Sequence, residues 1–103
     1  MPVTPKVAPI VQIPSAGGPV NAVPPNPVGG FIVNPLSAAD QGLAGGALPE
    51  PLYVSPAGAA GLAAGGTTFA LAPGQKWDII PGQTTATSVN ALTTGHKFSA
   101  VYW

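Results

Sequence analysis

The sequence predicts a mostly β protein with little helix: an extended irregular arm at the N-terminus and a small antiparallel β-module, about four short strands, at the C-terminus. Two observations lead to it. Twelve of the fourteen prolines fall within residues 1–56, leaving only Pro73 and Pro81 beyond. Proline locks φ, turns its predecessor away from helix and cannot donate a backbone hydrogen bond. After residue 66, β-branched and aromatic residues recur at period two between Pro-Gly and Thr-Gly turn signals, which is the pattern of short strands.

Residues 1–30 interleave proline with Val7, Ile10, Val11, Ile13, Val20 and Val23. Such a segment is extended, polyproline-II or irregular β, and cannot be an interior strand. A solvated tail would carry Ser, Lys and Glu where this one carries Val and Ile. The arm is therefore expected to dock its aliphatic side chains on a partner, with Val7, Ile10 and Ile13 as contacts. The plainer alternative is a tail that is disordered when free.

Residues 31–66 form an irregular Pro/Gly/Ala-rich segment with a loose repeat. Phe31-Ile32-Val33-Asn34-Pro35 and Leu52-Tyr53-Val54-Ser55-Pro56 lie 21 residues apart, and each leads into an Ala-rich stretch closed by a Gly-Gly pair. Each copy reads as a short β segment stopped by X-Pro. Two copies are too few for a solenoid. Ser37–Gln41 is long enough for one helical turn, ended by Gly42.

Residues 67–103 form the predicted β-module. Strands are expected over Thr67–Leu71, Gln75–Ile80, Thr84–Leu92 and His96–Trp103, joined as hairpins or a meander, with Pro73-Gly74 and Pro81-Gly82 suited to type II turns. In the last strand Phe98, Ala100 and Tyr102 face one way and Val101 and Trp103 the other, so both faces are apolar and both need cover. The module core is assigned to Phe69, Trp77, Ile79, Val89, Phe98 and Tyr102. Phe31, Tyr53 and Trp103 join the three arm residues as partner contacts. A module of about 37 residues is too small to stand alone without disulfide or metal, which points to oligomerisation or docking.

Composition narrows the function. Hydrophobic residues make up 46% of the chain and charged residues 6%, with formal net charge zero. A disordered chain shows the opposite balance, so the apolar positions here require a surface to bury against. Three lysines and no arginine argue against nucleic-acid binding. There is no cysteine for a disulfide or thiolate site. The start lacks the charged and apolar regions of a signal peptide, and the uncharged stretch 51–75 is too broken by Pro and Gly to cross a bilayer.

Catalytic sets are equally sparse. His96 is the sole imidazole, and the acids Asp40, Glu50 and Asp78 are scattered. A lone histidine at a strand start is most often a surface or satisfied structural residue. No metal-ligand spacing or phosphate-binding glycine pattern is present. The expectation is a protein that is not an enzyme and uses no cofactor or metal.

The proline-rich arm, the run Asn-Pro-Leu-Ser-Ala-Ala-Asp-Gln-Gly at 34–42, and the ending from Pro81-Gly82-Gln83 through Ser88-Val89-Asn90-Ala91 to Thr94-Gly95-His96-Lys97 and Trp103 resemble small virion proteins of tailed bacteriophages. The type most similar is the capsid decoration or cement protein. That resemblance implies a homodimer or homotrimer bound to the major capsid protein on the capsid surface of the virion, made in the host cytoplasm. A tail, neck or fibre component has the same composition. A carbohydrate- or receptor-binding tip, using Trp77, Tyr102 or Trp103, is the alternative of another class.

Overall fold

Eight short strands account for the regular structure in a computed structural model that describes residues 4–8 and 10–103. They are β1 (Lys6–Val7), β2 (Val20–Val23), β3 (Gly30–Val33), β4 (Leu52–Ser55), β5 (Phe69–Leu71), β6 (Lys76–Asp78), β7 (Thr87–Asn90) and β8 (Ser99–Tyr102). Among the described residues there is no helix. Proline and glycine keep the strands short. Asn34-Pro35 stops β3 and Pro56 stops β4, as X-Pro stops dictate. Pro73-Gly74 and Pro81-Gly82 occupy the centres of two β-turns, closed by Gln75 N–H to Ala72 O (3.0 Å) and Gln83 N–H to Ile80 O (3.1 Å).

The strands make two antiparallel sheets, β1-β8-β3-β6 (sheet 1) and β2-β7-β4-β5 (sheet 2). Pairs β1·β8, β2·β7, β3·β6 and β4·β5 are the rungs of one long hairpin whose tip lies between β4 and β5. Rolling that hairpin up adds β8·β3 and β7·β4 and gives two facing sheets. This strand order is an eight-stranded jelly roll. Ile32 and Ala100 of sheet 1 meet Val23, Leu52, Val54, Leu71 and Val89 of sheet 2 in one core, joined by Ile13, Ile79 and Phe98 from the connections.

Two expectations change. The C-terminal strands do not form a β-module of their own, and the N-terminal segment is not an extended arm over its described part, since β1 and β2 are strands of the two sheets. The first three residues and Pro9 lie outside the described residues. The radius of gyration, 12.9 Å, is that of a compact domain of this length, about 13 Å. The physical reason is the one that suggested docking: aliphatic side chains of 1–30 need cover, and the chain's own sheets provide it for Ile13 and Val23, while Val7 and Val28 stay exposed. The rule that a proline-rich segment cannot be interior does hold, because β1 and β2 are both edge strands. The four strands expected in 67–103 are present, but none pairs with another. Each of β5–β8 pairs only with strands from the first half, so the expected meander is replaced by long-range pairing.

The outer face of sheet 2 is covered by the chain itself. Tyr53, Ser55, Ser88 and Asn90 point outward, and the Ala/Gly-rich segment 56–66 lies over them. Ala60 N–H donates to Ser88 Oγ at 3.0 Å, and Asn90 Nδ2 donates to Ala60 O at 3.0 Å. Gly61 N–H donates to Thr68 Oγ1 at 3.0 Å. Small residues let this backbone approach the sheet closely, which is why β4 and β7 are buried on both faces.

Gly30 marks the tightest approach in sheet 1. Its φ is 154°, and a Cβ there would run into the Val101 carbonyl oxygen. Gly30→Ala is expected to cost about 2–3 kcal/mol through backbone strain and displacement of β8. Equilibrium urea unfolding against wild type checks it.

Candidate docking site

A rolled hairpin sends alternate connections to opposite ends. The loops 8–19, 34–51, 72–75 and 91–98 therefore gather at one end of the sandwich, here called the loop pole. Backbone bonds join them: Ile13 N–H to His96 O (2.9 Å), Gly95 N–H to Ile13 O (2.7 Å), Lys97 N–H to Gln41 O (2.8 Å) and Gly74 N–H to Asn34 O (2.7 Å).

Beneath the pole lies a polar cluster of Asn34, Gln41, Glu50, Thr93 and His96. His96, Asn34 and Gln41 are fully buried. Asn34, at the end of β3, is held by two donations from Nδ2, to Glu50 O and Leu71 O, both at 3.0 Å. Its Oδ1 is thereby an acceptor for His96 Nε2 at 2.9 Å, so Nε2 is a donor in this contact. The other ring nitrogen, Nδ1, lies 2.7 Å from Glu50 Oε1, and Thr93 Oγ1 donates to Glu50 Oε2 at 2.8 Å. The single turn at Ser37–Gln41, closed by Gln41 N–H to Ser37 O at 3.0 Å, swings Gln41 inward. Gln41 Nε2 then reaches Asn34 Oδ1, Pro35 O and Glu50 O, and Gln41 Oε1 accepts from Glu50 N–H.

Chemically the cluster is a clamp. Both ring nitrogens of His96 are taken by protein groups and the ring is enclosed, so neither nitrogen is presented to solvent. What the clamp does is hold two long loops, 34–51 and 91–98, in a single arrangement, since buried polar groups of this kind tolerate little displacement.

The same two loops hold large apolar side chains in water. Leu36 is 71% exposed, Leu48 84% and Leu92 54%. Leu36 lies against the Gly74 turn. Leu48 is two residues before Glu50, and Leu92 is next to Thr93, which is bonded to Glu50. Exposed leucines on rigid loops mark an interaction surface more strongly than singly scattered ones.

The residues singled out from sequence fall in several places. Val7 is exposed and Phe31 half-buried, on the same outer face of sheet 1. Ile10 is half-buried against the core, whereas Ile13 is fully enclosed in it. Tyr53 is on the covered face of sheet 2. Trp103 packs its indole on Gly29, its carbonyl accepts from the Val28 and Gly29 N–H groups, and its N–H donates to Gly29 O. Of the expected core, Ile79, Val89 and Phe98 are buried, and Trp77 and Tyr102 are partly buried against them. Phe69 is exposed instead. It points inward from β5, but β5 is an edge strand, and there it closes the side of the sandwich by packing on Trp77 with ring centroids 4.8 Å apart.

The clamp residues were not singled out as a set by sequence reasoning. Asn34 reads there as a strand stop, Glu50 as a scattered acid and His96 as a lone histidine. The one available signal is composition: in a chain with so few charges, an acid between two prolines (Pro49-Glu50-Pro51) is placed for a reason. No family model matches the chain, and no match is found among curated proteins or solved structures.

Proposed function

We propose that this chain is a non-catalytic structural protein of the virion, a capsid decoration or cement protein of a tailed bacteriophage that binds the major capsid protein through its loop pole. The observation that carries the reading is the pole itself, where Leu36, Leu48 and Leu92 are presented to solvent by loops clamped from below. The two stretches with the virion-protein resemblance, 34–42 and the ending that contains Thr94–Lys97, supply Asn34, Gln41 and His96 to that clamp. The jelly roll also occurs in viral capsid domains, an analogy of fold that adds support without assigning a role. On a repeating lattice, many weak pole contacts add up through multivalency.

The test is binding to purified heads that lack the protein. Leu48→Asp combined with Leu92→Asp changes only exposed side chains and keeps the fold. It is expected to weaken head binding at least about tenfold, the loss of roughly 1.4 kcal/mol or more at a contact centre. Binding equal to wild type by a correctly folded double variant would sink the pole reading. Deleting residues 1–30 is not a docking test for this fold, because it removes two edge strands and part of β3.

A further inference from the structure

The outer face of sheet 1 differs from that of sheet 2. In register, Val7, Val101, Phe31 and Asp78 form one row across all four strands, and Ser99, Val33 and Lys76 form the next. The inward positions of the same strands, Ile32, Ala100, Trp77 and Tyr102, already serve the core. Among the described residues, four apolar side chains thus face outward and take no part in the core. Val7 is 73% exposed, and Phe31, Val33 and Val101 are each partly exposed. Sheet 2 turns mainly Ser and Asn outward and is covered by segment 56–66. Sheet 1 turns Val and Phe outward, and a solvated antiparallel face should be polar.

We infer that this face pairs with the same face of a second copy of the chain, about a two-fold axis lying in the interface and crossing the strands. The charges select that occupant. Lys76 and Asp78 stand two residues apart on edge strand β6, 3.2 Å from each other and both well exposed. A two-fold axis so placed lays β6 antiparallel over β6 of the other copy. Lys76 then meets Asp78 of the second copy, and Asp78 meets its Lys76, so the contact is self-complementary as an isologous interface requires. The same operation sets Phe31 over Val33 and Val101 over Ser99, with sheets about 10 Å apart. A partner edge of a single charge sign would attract one of the two residues and repel the other.

The face is small. Three strand spacings by four residues give about 200 Å² per copy, well under the about 800 Å² per partner of a stable complex. The pairing is therefore weak and reversible, with a dissociation constant of about 0.1–1 mM. This specifies the self-association expected in the reading above. It is tested on the free protein, so its failure leaves the head-binding assay to judge docking separately.

Sedimentation equilibrium over a concentration series up to about 1 mM reads the association. Lys76→Asp leaves two acids on the β6 edge and Asp78→Lys leaves two lysines. Each variant alone is expected to associate at least tenfold more weakly than wild type, and an equimolar mixture of the two is expected to regain wild-type affinity as a mixed dimer. Val101→Asp, on the same face, is expected to abolish pairing in any combination. A wild-type chain that stays monomeric throughout overturns the inference. So does a mixture that associates no better than its components, or a folded Val101→Asp that pairs as wild type does.

Discussion

His96→Ala is expected to destabilise the isolated chain by about 3–5 kcal/mol, the cost of opening a cavity in place of a buried ring and leaving its hydrogen-bond partners unsatisfied. The imidazole fills enclosed volume and bridges Glu50 to Asn34. Without it Glu50 Oε1 loses its partner in a largely buried setting, Asn34 Oδ1 loses one of two donors, and a cavity opens below the pole. Domains of this size hold about 5–15 kcal/mol in all, so the variant stands near the edge of folding. Urea unfolding should show a lower midpoint with an unchanged slope. The His96/Glu50 double-mutant cycle should show a coupling of about 1–3 kcal/mol. Thr93→Val, which removes only a rim hydrogen bond, should cost about 1 kcal/mol or less. Additive His96 and Glu50 effects would mean that the residues do not act as a unit, and the clamp would then not be what orders the loops.

X-Pro stops mark the β segments at 31–33 and 52–55, and period-two alternation places strands within the four stretches of 67–103, because alternation reports which side chains share a face. It carries no information on which strand lies alongside. Val101, for instance, is flanked by Val7 on one side and Phe31 on the other, each at least seventy residues away in sequence. A meander is the cheapest guess because short loops cost least to close. In the folded chain the proline-rich half competes successfully for every strand of the second half. Val20–Val23, fenced by Pro19 and Pro24, was hidden for the same reason: its neighbours look like a tail, and only an edge position reconciles prolines with pairing. The clamp was less legible still. Polar side chains converging from loops leave no periodic trace, and Asn34, Glu50 and His96 become meaningful only when the roll brings their loops to one pole.

Ile13→Ala separates a docking arm from an intrinsic part of the fold. An arm contact, once truncated, would leave the free protein's stability unchanged and weaken only partner binding. Here Ile13 has no exposed surface and sits in the common core with Val23, Val89 and Phe98. Its backbone is locked on both sides, N–H to His96 O and C=O to Gly95 N–H, so the side chain cannot swing away and the site cannot readily collapse. Deleting three buried carbons under that constraint is expected to cost about 3–4 kcal/mol, within the range of large-to-small core changes. Thermal and urea unfolding of the free chain read it directly. Val7→Ala, on the exposed face of β1, should change stability by about 0.5 kcal/mol or less. The contrast between these two aliphatic positions, six residues apart in the same proline-rich stretch, follows from the roll: β1 leaves one on the surface, and the loop after it drives the other beneath the pole.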